Sequence, residues 1–433
     1  MIARSVGRHA RRGSAIVATS VALALASIAA GDRTPTQPPE RVVTLGGVFA
    51  LSGSGASYGQ TARAAMELAV DDVNRELGRN ALGLRFTINV EDSRRDPALA
   101  VEKARALRAR GVQLLIGGQT SAEVAPLKAF VDENGMLLVS PSSTAGSLAI
   151  AGDNVFRFAP SDSLEAVAIT TMMWEDGVRA IVPVWHDDPS ANDLVAAVRS
   201  RIAGRGGSVF AGVRYGAPAE FTTITGDLRK QVDDAARRFG RDNVGIYFTG
   251  FDEVVQLFAA AAEDPVLGTI HWYGSDAGVL PEELLARPVA AKFASRVGYP
   301  NPIVSLDPDT RDHWQPILQR IRERSTVPVS GFDAYTLAVY DAVWVAAKAY
   351  VTVGASPRIE DLKQAFTTAA ATHFGATGWT ALNAAGDRNF GNFDFWAMRE
   401  TDGALRWTRV AFYETRTQRL VRFDDRGRVV SLR

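Results

Sequence analysis

From about residue 42 to residue 276 the chain alternates between two kinds of hydrophobic spacing. Val42–Leu51 is a dense apolar run, the pattern of a strand buried on both faces. From Ser57 to Leu77, Met66, Ala69, Val70, Val73 and Leu77 recur at helical spacing. Leu84, Phe86, Ile88 and Val90 then occupy every second position, the period of a strand. Asp96-Pro97 predicts a helix start, a capping carboxylate followed by proline at the first helical position, with the helix over Ala98–Arg110. Gln113–Ile116 and Leu137–Val139 are two further short strands.

The rhythm resumes after Pro160. Strands are predicted at Ala180–Trp185, Val209–Val213, Val244–Phe248 and Ile270–Tyr273, and helices at Asp193–Ala203, Thr225–Phe239 and Glu253–Ala262. Such alternation implies parallel sheets covered on both faces. The two runs, 42–158 and 160–276, are too long for one sheet and predict two α/β lobes of the same construction. Beyond them, Phe332–Val353 reads as a long apolar helix. The alternating stretches Asn392–Met398 and Trp407–Tyr413 predict antiparallel strands added late.

The first thirty residues follow another logic. Arg4, Arg8, Arg11 and Arg12 precede an apolar run over Ala15–Ala30 that closes on the small residues Ser27, Ala29 and Ala30. This is the layout of a secretory signal peptide, and the run is short for a membrane span. Residues 31–41 form a polar, proline-rich linker, and no cysteine follows the apolar run to take a lipid. The mature chain is therefore expected to be exported, periplasmic or extracellular. Removing those four arginines from 48 basic residues leaves 44 against 48 acidic ones, with no basic stripe. That balance argues against nucleic acid or an anionic membrane as partner. The chain has no cysteine, which excludes disulfides, thiolate metal sites and a cysteine nucleophile.

Candidate chemistry concentrates in loops that follow strands. Leu51-Ser-Gly-Ser-Gly-Ala-Ser-Tyr-Gly59 leaves a strand and opens a helix. Gly53, Gly55 and Gly59 make a glycine pattern one residue longer than the dinucleotide fingerprint, and Glu91 and Asp92 come too late for its acid. Gly55-Ala-Ser57-Tyr-Gly59 matches the nucleophile elbow of serine hydrolases, which would recruit His313 or His373. That elbow, however, belongs after several strands and this one follows the first. No two of His186, His271, His313 and His373 are spaced as metal ligands, and Asp187-Asp188 reads as a helix-capping loop. Ser121 and Ser140-Pro-Ser-Ser-Thr144 each follow a short strand. They either cap helices or converge on the crevice where open parallel sheets bind ligands.

Taken in order and spacing, these segments resemble the type I periplasmic binding proteins, above all the Leu/Ile/Val and related amino-acid or amide binding components of ABC transporters. The matching pieces are the 51–59 loop, Glu91–Pro97, Ile116–Ser121, Val139–Thr144 with Phe156-Arg157, Tyr335–Ala342, and Phe374–Gly378 with Gly386–Arg388. The resemblance implies two Rossmann-like lobes joined by a hinge of three crossings. The first lobe would be 42–158 plus about 301–372, the second 159–300 plus about 373–433. It implies capture of a small polar ligand without chemistry, no cofactor, no metal, and delivery by a monomer to a membrane ABC permease. Ser121, Ser142 and Thr144 match the residues that bind the ligand carboxylate and ammonium, and Tyr58 an aromatic near its side chain. In the second lobe Phe251 matches a family tyrosine and Asp276 the acid that pairs with the ammonium. Ser190 stands where the family often has an aromatic. A secreted serine hydrolase using Ser57, and a sensor with the same cleft, are the competing readings.

Overall fold

The first dense apolar run forms β1 (Arg41–Phe49), whose Leu45, Val48 and Phe49 are fully buried. The computed structural model describes residues 40–80, 82–278, 282–306, 310–327 and 334–432. The expected signal peptide lies outside them, as does the linker up to Pro39; Arg41, assigned to the linker, already pairs with Leu84. After β1 come α1 (Ala56–Arg79), β2 (Leu84–Asp92), α2 (Pro97–Ala109), β3 (Leu114–Gly117), α3 (Ser121–Asn134), β4 (Leu137–Ser140) and β5 (Val155–Arg157). The strands form a parallel sheet ordered β2-β1-β3-β4-β5. β2 is an edge strand and less buried than its neighbour, which is why its sequence alternates. Asp96 caps α2 as expected, its Oδ1 accepting from the amides of Ala98 and Leu99 at 2.8 and 3.0 Å.

The second parallel sheet repeats the plan with α4 (Asp162–Glu175), β6 (Ala180–His186), α5 (Pro189–Gly204), β7 (Ser208–Val209), β8 (Val213–Tyr215), α6 (Phe221–Phe239), β9 (Val244–Thr249), α7 (Val254–Ala261) and β10 (His271–Tyr273). Its order is β10-β9-β6-β7, with β8 also on β6. The strand expected at Val209–Val213 is broken in two. Gly212 turns left-handed (φ 75°) beside Pro183 of β6, and the Gln231 side chain bonds both its amide and its carbonyl. Helical periodicity also fails to predict α4. The helix packs against α5 and the later strands, so Ala166–Met173 is apolar on nearly every side.

The remainder comprises α8 (Glu282–Leu285), α9 (Pro288–Val297), β11 (Asn301–Val304), α10 (Arg311–Arg324), α11 (Ala334–Val353), α12 (Ile359–Ala371), the two-residue strands β12 (Phe374–Gly375) and β13 (Gly378–Trp379), and β14 (Phe393–Thr401), β15 (Ala404–Glu414), β16 (Arg419–Phe423) and β17 (Val429–Leu432). An antiparallel sheet runs β11-β14-β15-β16-β17, of which β14 and β15 are the late strands that the alternation predicted. β11 thus pairs with β14, and the stretch returning toward the first sheet begins after Val304 rather than near 301. α11 and α10 pack on α1, and α12 packs on α11. The chain therefore passes between the two halves three times: after β5, between β11 and α10, and after α12. Two of the crossings are tied together. The fully buried Arg157 guanidinium donates to both carboxylate oxygens of Asp387 at 2.5 and 2.7 Å and to the carbonyl of Ala145 at 2.6 Å.

Candidate functional site

All seven residues singled out from the sequence line one cavity of about 140 Å³ between the two parallel sheets. Tyr58 enters from the first turn of α1, Ser121 from the start of α3, and Ser142 and Thr144 from the loop after β4. Ser190 comes from the first turn of α5, Phe251 from the loop after β9, and Asp276 from the loop after β10. Each sits at the C-terminal end of a parallel strand or in the turn that follows, where such sheets bind ligands.

The wall next to the first sheet is neutral and cross-tied. Thr120, not Ser121, caps α3, in a reciprocal box with Glu123. That frees the Ser121 hydroxyl, which bonds the Ser143 hydroxyl at 2.9 Å and accepts from the Ala145 amide at 3.2 Å. Ser142 donates to the Gln119 carbonyl at 2.7 Å, and Gln119 in turn accepts from the Ala50 amide. Thr144 and Ser190 join hydroxyls across the cleft at 3.1 Å. The glycines of the 51–59 loop serve this geometry. Gly55 sits at φ 75° before α1, and a Cβ on Gly59 would lie 1.8 Å from the Ala50 carbonyl oxygen. Gly59 lets α1 start against the end of β1, so the glycine spacing needs no nucleotide to explain it.

The opposite wall is acidic. The buried Asp276 takes a 2.5 Å hydrogen bond from the Tyr335 hydroxyl, and its amide donates to Glu165 at 3.1 Å. Ser190 donates to Asp162 at 3.1 Å. Asp162 and Glu165 are almost fully buried on the first turn of α4. Burial, then repulsion from Asp276, pushes Asp162 up to about 8, against which the hydrogen bonds from Thr144 and Ser190 are too weak. Burial, then repulsion from Asp276 and Asp162, holds Glu165 well above the usual carboxylate range. Burial raises Asp276 as well, despite the bond from Tyr335. Three carboxyl groups thus share one low-dielectric corner, and the Arg157 guanidinium is the cation that acts on Asp162. Such a corner favours an incoming ammonium or a set of N–H donors.

Sequence reasoning passed over Arg95, Asp162, Glu165 and Tyr335. For the acids a signal existed: two carboxylates three residues apart on an otherwise apolar helix share one face. The histidines that a Ser57 hydrolase would need lie elsewhere. The Nδ1 of His373 is 2.9 Å from Lys348 Nζ, and burial, then Lys348, lowers it to about 4. The His313 ring lies against Phe374. No histidine is among the described residues that line the cavity with Ser57. Asp188 caps α5 through the Ala191 amide, and His186 stands beside it outside the cavity.

A cleft between two parallel-sheet halves, with three chain crossings and loop donors at the strand ends, defines the type I periplasmic-binding fold. The chain belongs to the receptor family ligand binding region, which matches residues 61–401. An uncharacterized protein of Methanocaldococcus jannaschii is 25% identical over 406 residues, covering 89% of this chain and 93% of that one. The Leu/Ile/Val-binding protein of Escherichia coli K12 is 26% identical over 51% of this chain, a match spanning 58% of its own length. Among solved structures, the branched-chain amino acid transporter substrate binding protein of Streptococcus pneumoniae, in complex with isoleucine, superimposes with a TM-score of 0.68. It is 20% identical, over 86% of this chain and 99% of that one. An R. palustris solute binding protein in complex with 4-hydroxybenzoate gives 0.70 at 14% identity, over 86% and 97%. Among the described residues no helix is long and apolar enough to cross a membrane.

Proposed function

We propose that this protein is an exported solute-binding protein that captures a small polar ligand, an amino acid of the branched-chain type or a related amide or carboxylate, and hands it to an ABC permease. In this reading it is a monomer without cofactor and does no chemistry on the ligand. The lobes are 42–158 with about 305–372, and 159–304 with about 373–433. Ser121, Ser142 and Thr144 receive the carboxylate end, Asp276 the ammonium, and Tyr58 and Phe251 flank the side chain. Ser190 ties the two walls. The observation that carries the reading is the cavity that sets hydroxyls against the buried Asp276. The named binding proteins among the relatives support the ligand class.

A thermal-shift screen of amino acids, amides and small carboxylates tests it. A ligand at a hundredfold excess over its Kd stabilises the native state by about 2.7 kcal/mol, so a rise of a few degrees in Tm is expected for at least one amine-bearing compound. No shift with any of the three classes overturns the proposal.

A further inference from the structure

Arg94 and Arg95 both adopt left-handed backbone, φ 53° and 61°, in the turn between β2 and α2. Strained non-glycine residues of this kind persist where the surroundings over-determine them. From this turn the Arg95 side chain reaches across the cleft. Its guanidinium carbon lies 4.0 Å from the centroid of the Phe251 ring. Its Nη1 donates to Ser54 Oγ at 2.9 Å and stands 3.9 Å from Asp252 Oδ1. Ser54 in turn donates to Asp252 Oδ2 at 2.9 Å. The guanidinium also abuts Gly55, where a Cβ would come within 3.3 Å of it. Arg95 and Ser54 belong to loops of the first sheet, and Phe251 and Asp252 to a loop of the second. The Arg95 side chain is 19% exposed and also lines the cavity, so it stands between the cavity and solvent.

We infer that Arg95 is an inter-lobe latch, closing the mouth of the cavity and slowing the escape of whatever the cavity holds. A cation stacked on an aromatic ring and a charge-assisted hydrogen bond are favourable at a partly desolvated site. The stacking on Phe251, the approach to Asp252 and the Ser54–Asp252 bond join the two lobes, whereas the Arg95–Ser54 bond holds the guanidinium within the first. Separating the lobes breaks the three crossing contacts together, and the latch weights the closed form in any mixture of open and closed states. The escape rate rests on the ligand-binding reading; the bias toward closure does not.

The chain has no cysteine, so two introduced ones take spin labels uniquely. Glu102→Cys on α2 and Asp227→Cys on α6 are exposed positions on opposite lobes. Distances between the labels are measured by pulsed electron paramagnetic resonance, on protein refolded from guanidinium and given no ligand. The parent should show a dominant short distance, and Arg95→Ala should lower the closed-to-open ratio roughly fivefold. Phe251→Leu should act in the same direction, and the double variant should go no further than Arg95→Ala. An Arg95→Ala distribution that superimposes on the parent's overturns the latch, as does a parent showing the long distance alone. Should Arg95→Ala fail to fold by circular dichroism, Asp252→Ala combined with Phe251→Leu reads the same contact from the other lobe, and an unchanged distribution there overturns it equally. A blank ligand screen would sink the proposed function and leave these distances standing.

Discussion

On one side of the cavity, Ser121, Ser142 and Thr144 present hydroxyls whose bonds run to neighbouring hydroxyls, amides and carbonyls of adjacent loops. On the other side, Asp276 backs onto Glu165 and Asp162, and burial raises all three carboxyls above their ordinary range. The hydroxyls of the neutral wall are all partnered, Thr144 by Ser190 across the cleft and the others by adjacent loops. The acidic wall is not: Asp162 Oδ1 has no hydrogen-bond partner among the described residues. A neutral wall orients a ligand through hydrogen bonds that water could replace, so each contributes about 1 kcal/mol. A buried acid selects by charge, and a partner lost from it costs far more. Discrimination between ligands with and without an amine should therefore come from the second wall.

The largest effect expected is on that discrimination. Asp276→Asn removes the carboxylate without changing its size. Affinity for an amine-bearing ligand, leucine as first probe, should fall about a hundredfold or more, the loss expected when one partner of a buried charge pair is removed. Affinity for 4-methylpentanoate, which lacks the amine, should change little. Calorimetric titrations giving equal losses for both would take Asp276 out of its role.

Next in size is the pH dependence of the ligand-free protein. Asp162 keeps its proton up to about pH 8 when folded, whereas in the unfolded chain it ionises near its ordinary value of 3.8. The folded state therefore holds a proton that the unfolded state has released. This contribution is fully present below about pH 4 and is lost as pH rises toward 8. Denaturant titrations between pH 5 and 8.5 should show stability falling, and Asp162→Asn should flatten the slope and leave the variant the more stable form at pH 8. An unchanged slope would mean that Asp162 is not the group that titrates. Binding of an amine should run the other way and strengthen over the same window as the corner becomes charged.

The two walls also differ in how far the sequence reveals them. The neutral wall is local. Each hydroxyl lies within a few residues of an apolar run that predicts a strand, so Ser121, Ser142 and Thr144 can be placed at strand ends from spacing alone. Even there the finer detail depends on a neighbour: Thr120 takes the cap that a reading of Ser121 in isolation would give to the serine. The acidic wall joins residues more than a hundred positions apart, Glu165 with the Asp276 amide. Two of its members sit on α4, a helix too evenly buried to show a helical period. Asp276 could be read only through its resemblance to a family position. The break between β7 and β8 was hidden for a similar reason, since it follows from Pro183 lying opposite Gly212.

The smallest predicted effect separates the walls most cleanly. Ser121→Ala deletes the acceptor of the buried Ala145 amide and the partner of Ser143. Leaving a buried donor unpaired costs about 1–3 kcal/mol, so global stability should drop by about that much. If Ser121 serves the carboxylate end, binding should weaken by about tenfold, the loss of one hydrogen bond of about 1.4 kcal/mol. Because leucine and 4-methylpentanoate both carry the carboxylate, the loss should be the same for each. A Ser121→Ala loss that falls mainly on the amine-bearing ligand would mean that the serine is coupled to the acids through the Thr144–Ser190–Asp162 chain of hydrogen bonds. The cavity would then have one extended wall, and the division of labour between hydroxyls and carboxylates would fail.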